Sequence, residues 1–380
     1  MSGDPEQEYF ADGMVEEIIT ALSRIRWLFV IARNSSFTYK GQAIDVKQVG
    51  RALGVRYVLE GSVRKGGGRV RITAQLIDTT TGAHLWADRF DGSLEDVFEL
   101  QDKVASSVAG VIEPALRAVE IRRASERETH DLTAYDLYLR ALAHSSGSKA
   151  ALDKALDLLE QAIDRYPQYG PALARAASCR ALIDLSGWTE NPERNRRAAI
   201  DSAERALEAA SDDPDTLGSA AHALAYFGEN IDAMMALVDR AVGLNPSFAV
   251  GWLYSAQIRI WGGQPDLAIE HVERAMRLSP RELLGLHSFI IGLAHFLCRR
   301  FEDALPKLTL AVQHLPNAPH RHRVLASCYA HMGRLEEARA VIERLRAVSP
   351  VVVPELSQFR NQEHRELILS GLRLAAGETT

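Results

Sequence analysis

Prolines recur through the second half of the chain at 167, 214, 246, 280, 316 and 350, separated by 47, 32, 34, 36 and 34 residues. The residues ahead of them repeat as well. A small or apolar residue stands twelve before each proline, an aliphatic residue or alanine eight before, and usually alanine five before, as in "ALDLLEQAIDRYP", "LAIEHVERAMRLSP", "DALPKLTLAVQHLP" and "EARAVIERLRAVSP". Ala155, Leu159, Ala162 and Pro167 make one such set, and Ala268, Val272, Ala275 and Pro280 another. Spacings of four and three residues keep the small positions on one helical face. A proline cannot continue the helix that it follows. A chain with this period buries its apolar faces only by stacking each unit on the next.

The period and its punctuation resemble the tetratricopeptide repeat, a unit of two antiparallel helices. Further marks agree: Trp252 sixteen before Ala268, Gly292 twelve before Ala304, Tyr329 nine before Ala338, and the turn "MGRLEEA". Six units are expected over 132–350. The 47-residue gap holds 13 residues beyond one 34-residue period, with "GWTENPERNRR" inside it. Pro306, a turn inside its helix, should bend that helix. The stretch "PELSQFRNQEHRELILSGLRLAAG" reads as a closing helix, so 351–380 becomes a C-terminal cap and tail, the device that keeps a solenoid in solution.

The first half, to about Arg123, alternates helices and strands. Met14, Ile18, Ala21, Leu22 and Ile25 recur at helical spacing. The run "WLFVIA", Trp27 to Ala32, suits a buried strand. Asp45 can cap a helix, with Gln48 as its capping-box partner and Gly54 as its stop. The stretch "VRYVLEGSVRKGGGRVRITAQLIDTTTGAHLWADRFDGS" reads as three antiparallel strands turning at "KGGGR" and "DTTTG". In the middle strand Val70, Ile72, Ala74 and Leu76 alternate with Arg71, Thr73 and Gln75, which predicts one buried and one wet face. Ser93, with Asp96 three residues on, predicts the cap of a long helix. That helix carries Val97, Val104, Val108 and Ile112 on one side, and Pro114 should bend or end it. The expected fold class is an α/β domain with a mixed sheet over 1–123, followed by an all-α solenoid.

The segments "SGDPEQEYFADGMVEEIITALSRI", "LFVIARNSSFTYKG", "VLEGSVRKGGGRVRITAQLID" and "GAHLWADRFDG" resemble the TolB-like amino-terminal domain of bacterial signalling proteins, in which tetratricopeptide repeats follow. The resemblance implies an output domain upstream, either a class III adenylate/guanylate cyclase domain or a winged-helix DNA-binding domain. It also implies a strand of the type "IAVLPF" before "MSGDPEQEYF". The first strand is therefore expected to be missing here and the first domain truncated at its start.

Composition narrows the chemistry. At 47% hydrophobic residues the chain can fill cores, and a formal net charge of -6 gives no general attraction to nucleic acid. Cys179, Cys298 and Cys328 are odd in number and far apart, which excludes a disulfide framework and zinc-type spacing and predicts free thiols in a reducing compartment. Residues 1–30 show no leader pattern, and no run of about 18 apolar residues exists, so a cytoplasmic protein without a membrane span is expected. Gly66, Gly67 and Gly68 join two strands and precede no Lys-Ser/Thr, so they read as a hairpin turn rather than a phosphate loop. His320 and His322, two apart on a helix, do not face one metal. "NSSFTYKG", with Asn34, Ser35, Ser36, Thr38 and Tyr39, reads as a loop with no histidine base beside its hydroxyls. "RKGGGRVRI" is basic through Arg64, Lys65, Arg69 and Arg71 but lacks interleaved aromatics. The paired aspartates, arginine and asparagine of a class III cyclase have no counterpart upstream of the repeats. No catalytic, cofactor-binding or metal-binding residue is expected.

Binding remains. The first helices of stacked units line a concave face. Aligning the units puts Tyr226, Phe227, Trp261, Phe289 and Phe296 on or near it, with Gln257, Arg323 and His331. The competing reading packs these aromatics between repeats. Trp261 and Phe296 are the expected anchors and Arg323 the polar contact, while Trp252 is placed between the helices of its own unit. The role expected is a non-catalytic regulatory or scaffold protein that takes a protein or peptide partner, related to the sensory part of cyclase-type signalling proteins. The rivals are part of an adenylate/guanylate cyclase whose catalytic domain lies upstream, and a regulator that has lost its winged helix.

Overall fold

The computed structural model describes residues 5–42, 44–66, 69–93, 97–126, 133–144, 148–279 and 283–377. Two compact units are distinguished, Met1–Val119 with Asn245–Ser247, and Glu120–Leu244 with Phe248–Thr380. Among the described residues, no helix is long and apolar enough to cross a membrane.

The first unit contains α1 (Pro5–Ser23), α2 (Arg33–Phe37), α3 (Val46–Leu53), β1 (Tyr57–Gly66), β2 (Arg69–Asp78), β3 (His84–Ser93) and most of α4 (Val97–Glu126). The strands form a sheet in the order β1-β2-β3, antiparallel throughout, which corrects the expected mixed sheet. Tyr57 pairs with Asp78 and Arg69 with Ser93, and the β2–β3 register shifts between Leu76 and Ile77. The alternation in β2 works as its sequence demands. Val70, Ile72 and Leu76 pack beneath Phe10, Met14 and Ile18 of α1 and Val104, Val108 and Ile112 of α4. The other face is polar. Ser62 and Thr73 share a hydrogen bond of 2.8 Å, and Arg71 donates to Asp91 at 2.7 Å, as cross-strand pairs do. Asp78 organises the second turn: its carbonyl accepts the Gly82 N–H at 2.7 Å and its carboxylate the Thr80 N–H at 2.8 Å.

Helix α3 is capped by Asp45, whose carboxylate accepts the Lys47 N–H at 2.9 Å, and it stops at Gly54, where φ is 66°. Gln48 contributes its backbone N–H, donated to the Asp45 carbonyl at 2.8 Å. Two expectations fail nearby, and a third is narrowed. Trp27–Ala32 forms no strand, and Phe29 stands 87% exposed. A short apolar run carries no period, so its sequence cannot specify a paired strand. "NSSFTYKG" contributes to α2 instead of forming only a loop. Pro114 does not end α4, which runs on to Glu126 with Ile112 and Leu116 buried on either side of the proline. Gly67, Gly68 and Asp96 lie outside the described residues, and Ser93 closes β3.

The second unit is helical. Six antiparallel pairs follow one another: α5 (Ala134–Leu142) with α6 (Lys149–Arg165), α7 (Gly170–Ser186) with α8 (Pro192–Ala209), α9 (Pro214–Tyr226) with α10 (Ile231–Leu244), α11 (Ala249–Trp261) with α12 (Pro265–Leu278), α13 (Leu284–Leu297) with α14 (Phe301–His314), and α15 (Pro319–His331) with α16 (Leu335–Val348). Helix α17 (Gln362–Ala376) closes the series against α15 and α16. The small positions read from the period are fully buried, including Ala155, Leu159, Ala162, Ala268, Val272 and Ala275. Gly292 is small for contact: a Cβ there would stand 2.9 Å from the Leu308 side chain.

The second pair departs from the expected register. Ala199, Ala203 and Ala206 occupy its buried small positions, so Pro214 comes late and serves as the first residue of α9. Much of the extra length is absorbed by α7 and α8, with 17 and 18 residues against 13 and 14 in α11 and α12. Pro306 lies inside α14 as expected, and Pro280 lies outside the described residues. Cys179 and Cys328 are buried and Cys298 is partly exposed, all three as free thiols.

Candidate functional site

Helices α7, α11, α13 and α15, the first members of their pairs, line one cavity of about 50 Å³ together with Ile368 of α17. Gln257 and Trp261, four residues apart on α11, share a face and both line it. Phe289 of α13 and Arg323 of α15 join them, together with Leu185 and His320. Trp261 is only 5% exposed. Its ring lies 5.0 Å from His222 and 6.0 Å from Tyr226. The Tyr226 hydroxyl donates to Asp184 at 2.8 Å.

Arg323 is the buried cation of this site. Its guanidinium donates to the carbonyls of Leu185 at 2.6 Å and Val351 at 2.8 Å, and to the Ser349 hydroxyl at 3.1 Å. Burial lowers its pKa to about 10, which leaves it charged at neutral pH. Burial, then the neighbouring Asp184 charge, pushes the Tyr226 phenol well above its ordinary value. Desolvation pulls His222 down to about 4. Burial, then Arg321 and Arg323, holds His320 well below the ordinary imidazole range. The face therefore presents aromatic rings, imidazoles held toward their neutral form and the Arg323 charge.

Four of the eight residues placed on the groove from sequence, Gln257, Trp261, Phe289 and Arg323, meet at the cavity. Tyr226 stands behind Trp261, and Phe227 packs edge-on against Tyr226 at 4.9 Å. Phe296 and His331 are elsewhere. Phe296 is fully buried, 5.6 Å from Phe301 and 5.9 Å from His331, and His331 donates from Nε2 to the Leu367 carbonyl at 2.7 Å. The expected open groove is corrected on this point: the aromatic face is covered. Its cover is the non-helical stretch 349–361, from which Leu356 and Phe359 also line the cavity. The closing helix expected from Pro354 onward begins only at Gln362, so residues 354–361 are corrected to non-helical chain. Trp252 sits between the helices of its own pair, with His271 at 5.0 Å and the Arg274 guanidinium 4.4 Å over its ring.

His222 was missed from sequence, although it precedes Tyr226 by four residues as Gln257 precedes Trp261. Phe359 carried no periodic signal. His320 and His322 face different partners: the first meets the Phe289 ring at 5.1 Å, and the second donates from Nδ1 to the Ala318 carbonyl at 3.1 Å. Among the described residues, no group of three or more His, Cys, Asp or Glu could hold a metal ion.

The tetratricopeptide repeat family matches residues 299–362, the stretch that holds α14, α15 and α16. Over 221 residues, 56% of the chain, the sequence is 44% identical to a Rhizobium meliloti (strain 1021) protein named "Putative adenylate cyclase 3". The match covers 37% of that relative's length. Among solved structures, the chain is similar to a thermophilic tetratricopeptide-repeat protein of Thermus thermophilus (17% identity, 52% of this chain and 98% of that one, TM-score 0.39). It is also similar to a chain of the APC/C hetero-tetramer Cut9–Hcn1 (15% identity, 73% and 49%, TM-score 0.45). The chain carries tetratricopeptide repeats arranged as a solenoid.

Proposed function

We propose that the second unit binds a peptide segment of a protein partner on the face built by its first helices, within a non-catalytic regulatory or scaffold protein. The observation that carries this reading is the convergence of Trp261 and Phe289 with Gln257 and Arg323 on one cavity. Large rings give a partner side chain a dry seat, and a few polar groups fix its orientation. The relation to cyclase-type signalling proteins is supported by the 44% identity to the Rhizobium meliloti relative. In this reading the first unit is the TolB-like domain, the limits are 1–123, 132–350 and 351–380, the location is cytoplasmic, and no nucleic acid is bound. The relative's name favours one second reading, that the chain is part of an adenylate/guanylate cyclase with its catalytic domain upstream.

A displayed library of random peptides, panned on the purified full chain, tests the reading. Selected peptides should bind at least tenfold more weakly to Trp261→Ala, a loss of about 1.4 kcal/mol or more, with the variant's helical signal retained. No enrichment over bare support, or equal binding to the variant, counts against it.

A further inference from the structure

The stretch 349–361 crosses the inner face of the repeats under close control. Trp188, just beyond α7, donates from Nε1 to the Val348 carbonyl at 2.8 Å, and the Ser349 hydroxyl donates to the Ser186 carbonyl at 2.7 Å. Arg323 of α15 holds the Val351 carbonyl at 2.8 Å. At the far end the Arg360 N–H donates to the Trp261 carbonyl at 2.9 Å, and the Arg360 guanidinium reaches both Asp232 oxygens of α10 at 2.9 and 3.0 Å. Between these ties, Phe359 is 3% exposed and lines the cavity with Trp261 and Phe289.

This is how a docked peptide is held. Main-chain hydrogen bonds fix the path, an aromatic anchor fills a pocket, and an acidic side chain reads a basic one. Two features separate the strap from an ordinary core connection. Leu356 adopts a left-handed φ of 56°, a conformation that a leucine rarely takes. The cavity of about 50 Å³ beside it shows that the fit is incomplete.

We propose that residues 351–360 occupy in cis the site that a partner peptide takes in trans, and that the partner segment shares the strap's chemistry: an apolar run, then a turn, then an aromatic anchor followed directly by a basic residue. The proposal rests on the peptide-binding reading of the same face. A tethered strap acts at an effective concentration on the order of millimolar, so it holds down the apparent affinity for any free competitor.

The probe is a labelled synthetic peptide of residues 351–361, VVVPELSQFRN. The full chain should bind it weakly, and the chain carrying Phe359→Ala and Arg360→Ala should bind it at least tenfold more tightly. Adding Asp232→Lys to that chain should cut binding, and a peptide with glutamate in place of arginine should restore it. Equal binding by the full chain and the double variant, or no binding by a folded double variant, would overturn the proposal. Hydrogen exchange on the unaltered chain gives a second reading. The Arg360 amide should exchange at least a hundredfold faster than the central amides of α11 and α15, through local release. Equal protection would make the strap part of the cooperative core and overturn the proposal too. If display-selected peptides still bind to the Trp261 face in that case, only the role of the strap is lost. If they fail as well, the peptide-binding reading falls with it.

Discussion

Arg323 donates to the Leu185 carbonyl at 2.6 Å and so ties the first helix of the sixth repeat to that of the second. Stacked repeats ordinarily touch only their neighbours. Here a buried side chain links repeats that are far apart in order, and the same guanidinium holds the Val351 carbonyl at the start of the strap. This bond lies beside the covered aromatic face, since Leu185 and Arg323 both line its cavity. It closes the inner surface on one side while residues 349–361 close it on another.

Replacing Arg323 with methionine keeps an apolar stem but strands the Leu185 and Val351 carbonyls. Buried acceptors that lose a charged donor cost about 1.5–3 kcal/mol, and that loss should appear in urea unfolding of the full chain. Lysine keeps the charge without the forked geometry and should fall between the two. An unchanged midpoint for Arg323→Met would show that solvent serves these carbonyls equally well.

Phe296 is fully buried, whereas Trp252 is partly exposed. Phe296→Ala should therefore destabilise the chain by about 3–5 kcal/mol, more than Trp252→Ala does. Thermal unfolding of the two variants ranks them directly. A larger loss for Trp252→Ala would place the deeper contact there.

What the sequence showed depended on periodicity. Ala155, Leu159 and Ala162 declare a buried helical face by spacing alone, and six helix pairs follow from that pattern. Val70, Ile72 and Leu76 declare a half-buried strand in the same way. Gln257 and Trp261 reach one cavity because four residues on a helix share a face. Phe296 also lies on a first helix, but Phe301 and His331 enclose it from elements that no local pattern connects to it. Trp27–Ala32 and the strap have no period, so their positions depend on tertiary contacts. Pro214 misled because an inserted stretch moved it off the register that Ala199, Ala203 and Ala206 kept.

Purified chain should form no cyclic nucleotide from ATP or GTP with Mg²⁺ or Mn²⁺. In the sequence, the paired aspartates of a class III cyclase have no counterpart upstream of the repeats. The check is product formation above a buffer blank. Turnover that survives re-purification would count for the cyclase reading.

The histidines of the inner face set a pH dependence. His222 lies 5.1 Å from Tyr254 and 5.0 Å from Trp261, and desolvation draws its pKa down to about 4. His320 is shifted in the same direction by burial and its arginine neighbours. In the unfolded chain an imidazole titrates near 6.5, so between about 6.5 and 4 the unfolded state binds more protons than the folded one. Stability from the neutral imidazoles is thus fully present above about pH 6.5 and is lost as the pH falls toward 4. Asp184 acts in the opposite sense, since burial raises its pKa and acid favours its neutral form in the fold. Urea midpoints measured between about pH 7 and 4.5 should fall with acid in the unaltered chain. His222→Phe should flatten part of that slope while keeping a ring between Tyr254 and Trp261. Identical slopes for the two chains would show that His222 is not the group that couples folding to protons.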